Sequence, residues 1–162
     1  MLQTPVGQSL HFVRTNRTAS AIIATTAFTM MGQGVISPVL PLIARGYGVS
    51  LFMVGVTVAV FGLGRFFVNV PTGVLADRYG RRFVLLVGLM FVVASGLLMV
   101  VVDSFLALLA FRFLSGIGTA MYITGVMIIL ADISTQANRA RYVSLQQGSI
   151  ILGSGIGPVI GG

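Results

Sequence analysis

At 162 residues, 56% hydrophobic and only 8% charged, with a mean hydropathy of +1.02, the chain is far too apolar for a water-soluble domain, where roughly a quarter of residues are charged. Its net charge of +7 comes from ten arginines and no lysine against Asp77, Asp103 and Asp132. The arginines fall mainly in short gaps between long apolar runs, which excludes a nucleic-acid partner, and the lack of cysteine, with a single histidine at His11, excludes disulfides and thiolate metal sites.

The chain opens on a polar tail, residues 1–18, and then enters its first apolar run. That run is longer than the roughly 7 to 15 residues of a signal peptide core, and further runs follow it, so it reads as a retained span. A helix rising 1.5 Å per residue needs about 20 apolar residues to cross hydrocarbon about 30 Å thick. Five stretches meet that length: 19–44, 50–75, 83–102, 105–130 and 142–162. The predicted fold class is therefore all-α, a polytopic transmembrane helix bundle occupying residues 19–162, with the lipid bilayer as its main partner.

Orientation follows from arginine. The tail holds Arg14 and Arg17, the second gap Arg78, Arg81 and Arg82, and the fourth gap Arg139 and Arg141; the alternate gaps hold Arg45 alone. Positive residues are retained on the cytoplasmic side. This predicts a cytoplasmic N-terminus, with the gaps near Gly46 and Asp103 facing outward, in a plasma or inner membrane. Five spans then leave the C-terminus pointing outward at Gly161 and Gly162 with no polar tail, and a truncated sequence is expected.

Several residues do not belong in a purely apolar span. Arg65 lies twelve residues before Asp77, about 18 Å along a helix, where an arginine costs roughly 2.5 to 3.5 kcal/mol on insertion scales. Arg65, Asn69 and Gly73 fall four apart on one side of the second span and make a polar stripe toward Asp77. Arg112 heads a second stripe with Ser115, Thr119 and Tyr122 on the fourth span. With Thr29 and Gln33 on the first, these are the candidate lining residues of a substrate cavity. Each arginine could instead clamp backbone carbonyls or snorkel toward the interface.

The gap between the second and third spans reads Gly73-Val74-Leu75-Ala76-Asp77-Arg78-Tyr79-Gly80-Arg81-Arg82. Gly73 would let a neighbouring helix approach beside the carboxylate, Gly80 would permit a tight turn, and Arg81 and Arg82 would hold the loop in the cytoplasm. The fifth span repeats small residues at Ser149, Gly153, Gly157 and Gly161, with Pro158 and Gly162 beside them, a smooth face on which two helix backbones can meet.

The ten residues from Gly73 to Arg82 resemble the cytoplasmic loop signature of the major facilitator superfamily. Three more stretches match that family in order. Met31-Gly32 with Pro38-Val39-Leu40-Pro41 resembles the first-helix motif of its twelve-span drug antiporters. Arg112 to Gly118 is similar to its arginine-containing motif, with Ser115 where glutamine is common, and Gly153 to Gly162 resembles the antiporter motif, whose first glycine would fall at Ser144.

The resemblance implies a partial N-terminal six-helix half of a two-bundle transporter, spans one to five, whose partner is a missing C-terminal half. It implies a small-molecule solute or drug as cargo, a proton as coupling ion, and no cofactor. It also implies that the glycine face of the fifth span packs on a helix of the other half and helps seal the cavity, the alternative being a static seam within the same bundle. A pairing of Arg81 with Asp132 is expected to lock the cytoplasmic ends of the second and fourth spans.

No acid stands at the centre of a span, so a proton-accepting carboxylate must come from elsewhere, and two central arginines would equally suit an anionic cargo. An enzyme is not expected, because no cluster of nucleophile, base and orienting group can be named. A channel is disfavoured by the lack of a repeated pore loop. The remaining alternative is a truncated membrane fragment that only associates with other helices and does not transport.

Overall fold

The structure, a computed structural model, describes residues 17–162 apart from the side chains of Ala44, Arg45 and Leu51. Most of the predicted tail, including His11 and Arg14, lies outside the described residues. Five helices follow one another: α1 (Arg17–Gly46), α2 (Leu51–Tyr79), α3 (Arg81–Val100), α4 (Phe105–Ile133) and α5 (Arg139–Gly161). Among the described residues no strand is present. By length and composition, α1 to α4 each contain a stretch able to cross a membrane: Arg17–Ile43, Phe52–Tyr79, Arg81–Val100 and Phe105–Ile133.

The main difference from the sequence reading is at the second gap. A loop spanning residues 76–82 was expected from its charges, but α2 continues to Tyr79 and α3 begins at Arg81. Charge ends the apolar run without ending the helix, because the exposed side chains of Asp77, Arg78, Arg81 and Arg82 can reach water while the backbone stays hydrogen-bonded. The whole turn falls on Gly80, at φ 92° and ψ 152°, a conformation that a Cβ would forbid.

The chain divides into two compact units, Met1–Pro38 with Leu130–Gly162, and Val39–Ile129. In the first unit α5 presents Tyr142, Gln146, Ser149, Gly153 and Gly157 as its buried residues, spaced four, three, four and four apart. In the second, α3 does the same with Val84, Gly88, Val92, Ser95 and Met99. Hydroxyls on these helices are satisfied locally: Thr25 donates to the Ala21 carbonyl at 2.8 Å, Thr119 to Ser115 at 2.7 Å and Ser149 to Leu145 at 2.9 Å. In hydrocarbon a polar group without a partner is costly, and the turn before it is the nearest acceptor.

Glycine brings the helices of the second unit together. A Cβ at Gly88 of α3 would stand 2.5 Å from the Tyr122 nitrogen and 2.8 Å from the Gly118 carbonyl oxygen of α4, and one at Gly118 would meet Val92 N at 2.8 Å. On α2 and α4, Gly64 lies against the backbone of Phe113 and Ile117, and Gly116 against that of Phe61 and Arg65. A Cβ at Gly125 of α4 would lie 3.1 Å from Leu85 Cα of α3. Helices in lipid gain no hydrophobic drive toward one another, so contact area reached by small residues supplies the attraction. An apolar cluster of Ala76, Val84 and Met121, with Val68, Leu75, Val87, Phe91, Ile117 and Ile128 around it, completes the unit. The Tyr47 hydroxyl donates to the Val102 carbonyl at 2.5 Å, tying the α1–α2 link to the α3–α4 link.

In the first unit the glycine face of α5 is occupied by α1. Cβ atoms at Gly157 and Gly161 would fall 2.5 Å from the Met31 and Val35 carbonyl oxygens, and one at Gly153 would strike the Ala27 carbonyl and lie 2.8 Å from Met30 Cβ. Rising numbers on α5 meet rising numbers on α1, so the two helices run parallel. Among the described residues this face meets α1, and a seam within the same bundle accounts for its small residues. Spacing identifies a smooth face and says nothing of its occupant.

Below the glycines the same seam holds a polar clasp. Thr26 and Gln146, both fully buried, are joined by a hydrogen bond from Gln146 Nε2 to Thr26 Oγ1 at 3.0 Å, while the Thr26 hydroxyl donates to the Ile22 carbonyl at 2.9 Å. Removing one end costs differently from removing the other. Thr26→Val strands a buried amide and is expected to cost about 1–3 kcal/mol, whereas Gln146→Leu leaves Thr26 its bond to Ile22 and should cost about 0.6 kcal/mol. Unfolding of the purified chain in mixed detergent micelles measures both; equal losses would contradict the asymmetry.

Candidate functional site

The eight candidate lining residues separate by exposure. Arg65 and Asn69 are exposed on α2, Thr29 and Gln33 are half-buried on α1, and Arg112, Ser115, Thr119 and Tyr122 are buried on α4. An open α4 stripe was expected; instead Ser115, Thr119 and Tyr122 are 1%, 2% and 1% exposed. The cause is the glycine packing, since Gly116 and Gly118 draw helices onto α4 from the α2 and α3 sides and cover the residues between them.

Arg112 is 7% exposed, and among the described residues its buried Nε–H has no hydrogen-bond acceptor. That argues against the carbonyl-clamp reading for Nε. A guanidinium sunk among apolar helices without a matching oxygen is unfavourable for folding. Arg65 stands at the middle of α2, with its Cζ 5.9 Å from the centroid of the Phe61 ring. Such a cation–π contact offsets part of the charge. Asn69, four residues further and also exposed, continues the polar face toward the Asp77 end of α2.

Gly73 also departs from expectation. No described atom lies within 4 Å of a Cβ built there, so no neighbouring backbone of this chain approaches beside Asp77. On α2 that contact is made by Gly64 instead, while Gly73 follows Arg65 and Asn69 on the adjacent face. At the helix ends Arg78 sits with its Cζ 5.4 Å from the Tyr79 ring centroid, and Tyr79 and Phe83 stack at 5.6 Å across Gly80. Asp132 is exposed in the last turn of α4, and Pro158 is half-buried inside α5.

Sequence reasoning did not single out Gly34, Gly64, Gly88, Gly125, Thr26 or Gln146, although each stands at a contact between helices. The signal was present for Gln146, which stands seven residues before Gly153 and so on the same helical face. For Gly88 it was the run of small or branched residues at 84, 88, 92 and 95.

Comparison with known proteins agrees with these features. The chain is 32% identical over 138 residues to an uncharacterized MFS-type transporter of Methanocaldococcus jannaschii, covering 85% of this chain and 36% of that protein. It is 31% identical over 147 residues to Multidrug resistance protein 1 of Bacillus subtilis, covering 91% and 38%. With the quinolone resistance protein NorA of Staphylococcus aureus it shares 30% over 132 residues, covering 82% and 34%. The chain thus spans about a third of the length of the curated relatives it matches. The sequence profile of the Major Facilitator Superfamily matches residues 22–162, and its apolar helices are those of a multi-pass membrane protein; the chain belongs to the Major Facilitator Superfamily.

Proposed function

We propose that the chain serves as the N-terminal bundle of a secondary active transporter that exports small solutes or drugs, with its N-terminus in the cytoplasm and the bundle in the plasma membrane. The observation that carries this reading is the polar face of α2. Arg65 and Asn69 are exposed at mid-helix, where lipid would reject them, and a water-filled path between two bundles would accommodate them. Two relatives named for drug or quinolone resistance support export of such compounds. Because the matched stretch is only 34–38% of each of these relatives, the reading assigns transport to this bundle together with a second one, consistent with substrate sites that lie between repeated halves. The proton is the proposed coupling ion.

The test uses the complete coding sequence that contains this chain, expressed in a host lacking its own efflux pumps. Energised cells should expel at least one dye of a panel of cationic, neutral and anionic solutes, and a protonophore should stop them. Unchanged accumulation across that panel would refute export.

A further inference from the structure

Charge at membrane depth in this chain has one sign. Asp77 lies in the last turn of α2, Asp103 in the link between α3 and α4 and Asp132 in the last turn of α4, whereas Arg65 and Arg112 stand well inside α2 and α4. The two arginines are also neighbours in level. Gly116 meets the backbone of Phe61 and Arg65 while Gly64 meets that of Phe113 and Ile117, so these stretches of α2 and α4 lie side by side with Arg65 next to Gly116. Arg112 is one turn away from that level, about 6 Å along the axis.

Among the described residues, Arg65 contacts an aromatic ring and the buried Arg112 Nε–H has no acceptor. The Phe61 ring gives Arg65 an apolar surface. Arginine stays protonated at any working pH and holds its donors in a planar fork that fits carboxylate, sulfonate or phosphate oxygens two at a time. Asn69, exposed one turn beyond Arg65, adds an amide on the same face.

We infer that the solute carried is an organic anion, whose oxyanion is taken by the Arg65 guanidinium while its apolar body lies against Phe61. Arg112 contributes positive potential one turn away. This rests on the transporter reading above, and it names the cargo that such a face selects. A cationic solute meets the opposite sign at the same depth and gains nothing from it.

The complete transporter, reconstituted in proteoliposomes, is given carboxyfluorescein as the anionic probe and ethidium as the cationic one. Carboxyfluorescein should be transported. Arg65→Gln should raise its KM about tenfold or more, the loss of a charge-assisted bond, while ethidium transport, where measurable, changes less than about twofold. Arg65→Lys keeps the charge without the fork and should fall between. Transport of ethidium with none of carboxyfluorescein would overturn the inference and leave the transporter reading standing. An equal loss of both probes in Arg65→Gln, as when Arg65 pairs with a carboxylate elsewhere in the protein, would also overturn it. Movement of neither probe would sink this inference and count against the transporter reading on which it rests.

Discussion

Replacing Gly157 by leucine is expected to destabilise the chain by about 3 kcal/mol or more, at the upper end of overpacking costs. Its Cβ would lie 2.5 Å from the Met31 oxygen, 2.6 Å from Gly34 Cα and 2.8 Å from Gly34 C. All three are backbone atoms of α1, so no side-chain rotation relieves the clash. The two helices must separate, and the contacts at Gly153 and Gly161 weaken with them. Gly155, two residues away on α5, is exposed with nothing within 4 Å of its own Cβ. Gly155→Leu should therefore be neutral, or stabilising by up to about 1 kcal/mol through helix propensity. Unfolding of both variants in mixed micelles compares the same chemical change at two positions of one helix. If the two prove equally stable, the α1–α5 seam is not what holds this unit together.

Arg112 gives the second large effect, and it has opposite signs in two measurements. Substituting methionine keeps much of the length of the side chain and removes a buried charge whose Nε lacks an acceptor among the described residues. Stability of the chain should rise, by about 1–3 kcal/mol by analogy with other buried ions replaced by apolar groups. Transport by the complete protein should fall more than about tenfold, because a costly charge kept at membrane depth is retained for function. A less stable Arg112→Met would show instead that the arginine braces the fold.

How much of this could be read from the residues depends on which property is asked. The existence of the helices was legible, because a run of about 20 apolar residues has few alternatives to a helix in lipid. Their ends were less so: the charges from Asp77 to Arg82 mark the membrane boundary, yet the helical backbone runs through all of them except Gly80. Faces could be named and partners could not. Ser149, Gly153, Gly157 and Gly161 announce close packing by their spacing, but α1 as the occupant depends on how the chain folds back over a hundred residues. Arg65 and Arg112 were visible as misplaced charges, while only the packing of Gly116 and Gly64 puts them within about one turn of each other. Gln146 was hidden because one of two adjacent amides, Gln146 and Gln147, in a moderately polar stretch looks like a surface residue until Thr26 is seen against it.

The single-residue joint at Gly80 has a consequence for how the protein is made. With no slack between α2 and α3, neither can settle in the bilayer while the other waits in an aqueous compartment. The pair has to leave the insertion machinery together as a hairpin, its bend flanked by the guanidinium groups of Arg78, Arg81 and Arg82. Biogenesis of this hairpin would then hinge on one achiral residue, whose replacement would be felt during assembly.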